Sequence, residues 1–153
     1  MGTNRRIFLK NTLLTTLVGL VTSSSLLKWG MALANTWPAD LFNAKTVRDA
    51  LGGHEGSASS DIVLKANEPA ENGAVVQVTV ESALPGIESI ALLVKDNPHP
   101  LSAVFLLGPG VQANITTRIK MSRTSEVIAV AKVGDQYFST TKEVQVIVGG
   151  CGE

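Results

Sequence analysis

Cysteine is nearly missing from this chain: among 153 residues there is one, Cys151. A single thiol excludes an internal disulfide and any Cys-rich metal cluster. Histidine is almost as scarce, with only His54 and His99. Neither has a second ligand at metal spacing, so both are expected to be solvated loop residues, and no metal or cofactor is expected. No nucleophile–base pair and no phosphate-binding glycine loop appears, so no catalytic residue is assigned. Aromatic residues make up 5% of the chain, which leaves the core to Val, Ile, Leu and Ala. There is no Lys/Arg cluster either. Because neutralised phosphates supply most nucleic-acid affinity, a nucleic-acid partner is excluded.

The uncharged stretch Thr12–Leu27 is short and holds four threonines, whereas a membrane span needs about 20 apolar residues. It follows Arg5-Arg6 and Phe8-Leu9-Lys10 and precedes Ala32-Leu33-Ala34. A paired arginine, an uncharged middle and an A-x-A site together resemble a twin-arginine export signal, removed after residue 34. The expected mature form is therefore periplasmic and has no membrane role. Residues 1–34 carry Arg5, Arg6, Lys10 and Lys28 and no acidic residue. Their loss turns the balance of 13 Lys+Arg against 13 Asp+Glu into an acidic excess of four. The twin-arginine route carries folded cargo. With no cofactor motif in view, it points to a partner assembled before export.

What is present has two periods. Leu41, Ala44, Val47 or Arg48, and Leu51 recur at three- and four-residue spacing, after Pro38 and before Gly52. This predicts one amphipathic helix over about 38–51. A Gly/Ser-rich linker follows to residue 60. From Asp61 the period is two: Ile62/Leu64/Ala66, then Val76/Val78/Val80, later Ala113/Ile115/Thr117/Ile119 and Val127/Ala129/Ala131/Val133. Ile87–Val94 is almost continuously apolar, as in a central strand, and Ser102–Leu107 and Phe138–Val148 complete the set. Turn signals at Asn72-Gly73, Pro85-Gly86, Asn97-Pro98, Gly108-Pro109-Gly110 and Gly134-Asp135 separate them. About seven short strands with no helix between them predict a mainly β chain, an immunoglobulin-like antiparallel β-sandwich. The expected organisation is an export signal over 1–34, helix and linker over 35–60, sandwich over 61–148 and a flexible glycine-rich arm over 149–153. Some strands are apolar on both faces, as at Val75/Val76 and Ile128/Val130, which suggests a face buried against a partner.

The chemistry gathers at the end of the chain. After Val144-Gln145-Val146-Ile147-Val148 come Gly149, Gly150, Cys151, Gly152 and Glu153. Glycine has little conformational preference and no side chain to bury, so the thiol sits on a thin arm. Three residues beyond Val148 extend at most about 10 Å. No Lys, Arg or His flanks Cys151, while Glu153 and the terminal carboxylate are near. Negative neighbours disfavour the thiolate, so the tail does not activate its own sulfur.

A Gly-Gly-Cys-Gly tail after a valine-rich strand resembles the SoxY family. So do Glu71-Asn72-Gly73-Ala74-Val75-Val76, Asn97-Pro98, Arg118-Ile119-Lys120-Met121, Val127-Ile128-Ala129-Val130-Ala131, Phe42 and Ala50-Leu51-Gly52-Gly53. The likeness runs through the whole mature chain; it departs at Glu153, where the family tail often has a further glycine. The resemblance implies a non-catalytic carrier with sulfur bound covalently at Cys151 and with Gly149, Gly150, Gly152 and Glu153 forming its arm. It implies a SoxZ-like β-sandwich partner, a haem enzyme that couples thiosulfate to the thiol, and a hydrolase that releases sulfate. Two other readings compete on the residues alone. One is an exported assembly or adhesion module whose terminal cysteine forms an intermolecular disulfide. The other, a thiol oxidoreductase or copper chaperone, lacks a second cysteine, a Met/His cluster and an activated thiol.

Overall fold

The structure, a computed structural model, describes residues 38–147. The chain divides between Thr36 and Trp37 into two units, and the described residues belong to the second. The expected export signal and the residues of the carrier arm both lie outside the described range.

Eight strands form two sheets. They are β1 (Ser57–Ala58), β2 (Ile62–Ala66), β3 (Val76–Ser82), β4 (Ser89–Val94), β5 (Leu101–Leu106), β6 (Ala113–Ile119), β7 (Ser125–Val133) and β8 (Gln136–Val144). One sheet has the order β1-β8-β7-β4-β5 and the other β2-β3-β6. All pairs are antiparallel except the two-residue β1, which lies parallel to β8 at Phe138 and Ser139. This is the expected immunoglobulin-like sandwich. Every stretch of period two or continuous apolarity became a strand; only β1, inside the stretch read as a linker, is additional.

Alternation decides which side chains meet between the sheets, because successive residues of a strand point to opposite faces. Val76, Val78 and Val80 of β3, Ile62 and Leu64 of β2, and Ile90, Leu92 and Val94 of β4 enter the inter-sheet core with Val127, Ala129 and Ala131 of β7. The outward residues of β3 and β6 are polar. Thr79 and Thr116 sit opposite each other with their hydroxyls 2.9 Å apart.

Strand β4 is buried at all six positions, so it is covered on both sides. Its second face, with Ala91 and Leu93, packs with Leu101 and Val130 against Ala50 and Leu51, and Leu41, Ala44, Val47, Ile128 and Tyr137 close around them. The chain thus covers the outer face of its own five-stranded sheet. This corrects the inference of a partner at Ile128/Val130: Val130 is only 3% exposed, under the N-terminal segment. Val75, 52% exposed, precedes β3 in a loop.

That covering segment is not the single helix the periodicity predicts. It is a 3₁₀ helix, Ala39–Asn43, followed by one α-helical turn, α1 (Val47–Ala50). Thr46 breaks the run. Its backbone is extended (φ −123°, ψ 154°), and its hydroxyl accepts the Asp49 N–H at 3.1 Å and donates to the Asp49 carboxylate at 2.7 Å. A threonine that caps a new helix cannot also continue an old one. At the other end Gly52 (φ 64°) and Gly53 (φ 85°) donate to Asp49 and Arg48 carbonyls, closing α1 in a Schellman motif. Thr46→Ala is expected to cost about 1 kcal/mol. Loss should concentrate in faster amide exchange of residues 47–51, with Thr46→Ser close to wild type.

Candidate functional site

Strand β8 pairs with β7 only as far as Val144, opposite Ser125. The strand therefore ends four residues before the Val148 expected from the sequence, yet the backbone stays bound for three more residues. Ala70 N–H donates to the Gln145 carbonyl at 2.8 Å, and Ile147 N–H donates to the Ala70 carbonyl at 2.9 Å. Between them Val146 forms a parallel bridge with Ala70, and its N–H donates to the Thr124 hydroxyl at 3.0 Å. The side chain of Val146 packs on the inter-sheet core. Ile147, the last described residue, is 52% exposed. Three residues, Val148, Gly149 and Gly150, separate it from Cys151 in the chain.

Three loops meet at this root. The β2–β3 loop supplies Ala70, 7% exposed, and is tied down where Met121 N–H donates to the Gly73 carbonyl at 2.7 Å. Gly73 has no room for a side chain: a Cβ there would overlap the Met121 carbonyl and stand 3.0 Å from Val146 Cγ1. The β6–β7 loop supplies Thr124. It is held in turn by Asn97 of the β4–β5 loop, whose amide donates to the Lys120 carbonyl at 2.7 Å and whose carbonyl accepts Ser122 N–H at 3.0 Å. Nothing local in the sequence marks Ala70, Gly73, Asn97 or Thr124 as neighbours of the C-terminal tail. Asn97 reads there as part of a rigid turn, and Gly73 as a turn glycine.

The residues singled out for chemistry fall differently. Cys151, Gly149, Gly150, Gly152 and Glu153 lie outside the described residues. His54 is exposed in the loop after α1, as expected, and its ring stacks on Tyr137 at 4.4 Å between centroids, planes 15° apart. His99 Nε2 lies 3.3 Å from Lys45 Nζ. The two histidines thus attach to different partners. Among the described residues, no three His, Cys, Asp or Glu side chains form a metal-sized group, and no helix is long and apolar enough to cross a membrane.

Exposed ion pairs brace the sheets, Lys95–Glu126 at the arm's end of the sandwich and Lys132–Glu88 at the opposite end. The hydrogen bond from Lys132 holds the Glu88 carboxyl below its ordinary value, and Glu88 holds Lys132 above its own. A lowered carboxyl pKa stabilises the fold above the ordinary carboxylate range, and that contribution fades as pH falls through the lowered value. A raised lysine pKa contributes below the ordinary ammonium range and fades on the alkaline side. The stability difference between wild type and Glu88→Gln should therefore be small at neutral pH, where solvent screens the pair, and vanish in acid. Urea titrations across that range check it.

A family model, that of the sulfur oxidation protein SoxY, matches residues 47–151. The match runs from α1 through the whole sandwich and ends on the single cysteine. No curated protein matches the chain. Among solved structures, the sulfur carrier protein SoxY from Chlorobium limicola f thiosulfatophilum is similar at a TM-score of 0.61 and 31% identity, over 67% of this chain and 97% of that one. A chain from a study of T cell activation by the superantigen toxic shock syndrome toxin-1 matches at a TM-score of 0.42 with 10% identity, over 56% of this chain and 99% of that one. A Jonesia denitrificans lytic polysaccharide monooxygenase matches at 0.41 with 16% identity, over 52% and 58%. The last two are too distant to carry any argument. With a family model that covers most of the chain and a SoxY structure matched over nearly its full length, this chain belongs to the SoxY family of sulfur oxidation proteins.

Proposed function

We propose that this protein is a covalent carrier in thiosulfate oxidation, holding sulfur intermediates on Cys151 while partner enzymes act on them. The observation that carries the reading is the family match itself, which ends on the only cysteine of the chain. The physical argument runs beside it. A thiol flanked by Gly150 and Gly152 presents almost no bulk, so it can enter active sites closed to a globular domain. The anchored root at Val146 and Ile147 gives such an arm a defined origin.

Loading is an oxidation. Thiol and thiosulfate join to give Cys–S–S–SO3⁻ with release of one proton and two electrons, which a haem enzyme accepts. Water then cleaves the terminal S–S bond in a hydrolase, releasing sulfate and leaving a persulfide on the carrier, whose outer sulfur a further enzyme oxidises. The chain itself contributes the thiol and its placement and catalyses none of these steps. The carrier works in the periplasm after twin-arginine export, as a complex with a SoxZ-like β-sandwich subunit that has no export signal of its own.

Intact mass of protein purified from thiosulfate-grown cells tests the proposal. Adducts of thiosulfate or polysulfide size that disappear on reduction support it. A cysteine found only in a protein–protein disulfide would instead identify an assembly module.

A further inference from the structure

We infer that the β2–β3 and β6–β7 loops form a collar that sets where the carrier arm begins, and that Thr124 and Gly73 are positioning residues for the distant thiol. The inference rests on the carrier reading of Cys151 but concerns a different part of the molecule. After Val144 the arm has no further partner in its own sheet, and a chain heading into a glycine-rich tail has little reason to stay attached. Two backbone groups and one side-chain hydroxyl nevertheless hold it. The Ala70 amide and carbonyl bind Gln145 and Ile147, and the Thr124 hydroxyl binds the amide of Val146. The collar is built from outside the arm. Gly73, packed against the Met121 carbonyl where no Cβ fits, brings the β2–β3 loop beneath Val146. Asn97 holds the β6–β7 loop that presents Thr124. The ion pair Lys142–Glu68, at 3.5 Å, joins β8 to the β2–β3 loop just before the root.

The consequence is a length. From Ile147, the four residues 148–151 span at most about 14 Å; released at Val144, the seven residues 145–151 would span about 24 Å. A longer tether spreads the thiol through a larger volume, and its effective concentration at a docked enzyme falls roughly as the −3/2 power of tether length. On that scaling the intact collar is worth about a twofold gain in effective concentration.

Thr124→Val removes the acceptor for Val146 while keeping the side chain's shape; Thr124→Ser retains it. A nitroxide on Cys151 and a second on the exposed face of β6, through Thr116→Cys, report the distance distribution in the full chain. In Thr124→Val the distribution should widen by several ångström, up to about 10 Å. The amides of Val146 and Ile147 should exchange at least about tenfold faster, the denaturation midpoint should hold, and Thr124→Ser should behave as wild type. Gly73→Ala should act in the same direction; if that variant fails to fold, Thr124→Val alone decides. An unchanged distance distribution in Thr124→Val overturns the collar, and so does a wild type whose Val146 and Ile147 amides exchange like an open chain. Neither readout involves sulfur chemistry, so loss of the collar leaves the carrier reading standing. The absence of sulfur adducts on Cys151 would remove the carrier reading while the collar result stood.

Discussion

On the proposed carrier role, a Cys151→Ser chain assembled with the proposed partner enzymes is expected to consume no thiosulfate above the background of a mixture lacking the carrier, and its mass to show no reducible adduct. The expected effect is complete rather than partial because the proposed loading step makes a sulfur–sulfur bond, which a hydroxyl cannot form. No second thiol can substitute, since the chain has one cysteine. The same replacement leaves stability at the wild-type value. Serine differs from cysteine by a single atom, and the glycines on either side of residue 151 offer it no neighbouring side chain to pack against. Activity lost together with the denaturation midpoint would point to a folding role for residue 151; activity retained in a well-folded Cys151→Ser chain would end the carrier proposal.

Leu92→Ala has the largest expected effect on the fold. Leu92 is fully buried in β4, and its cross-strand neighbours on either side are Ala103 and Ala129. Those neighbours are too small to move into the space, so the cavity stays open and the cost falls at about 2–5 kcal/mol. Against the roughly 5–15 kcal/mol that holds a typical domain together, that is a fall in Tm on the order of 10 °C or more. Leu92→Met, close in volume, should cost less than about 1.5 kcal/mol. Leu93 gives the contrast. It is also fully buried but faces the N-terminal segment. Leu93→Ala should loosen residues 39–51 in amide exchange before it loosens the sandwich. Chemical denaturation with exchange resolved by segment separates the two, and equal loosening of both regions would contradict the two-core description.

The strands were legible because a half-buried strand writes its own pattern: Val76/Val78/Val80 and Val127/Ala129/Ala131 alternate since every second side chain meets the opposite sheet. Strand β4 was legible as central from its unbroken apolar run. What lay on its far side was not. An apolar residue turned outward reads the same whether a partner or the chain's own N-terminus covers it, and here Ala50 and Leu51 do so. The helix over 38–51 misled because hydrophobic spacing records which residues are buried, while the Thr46 cap, a local hydrogen-bonding choice, decides where a helix restarts. Strand β1 left no trace, as two residues cannot show a period.

The covalent order of residues by itself determined the sandwich class and the placing of one thiol between glycines at the end of the chain. Both follow from neighbours along the chain, through alternation and the lack of side chains. Only the folded structure decided where the arm takes its origin. Ala70 and Thr124 lie far from Val146 in sequence and reach it because β2, β3, β6 and β7 pair and stack, bringing their loops together at one end of the sandwich. A hydrogen bond that depends on such a meeting has no local signature, since none of its partners needs the others until the sheets have formed.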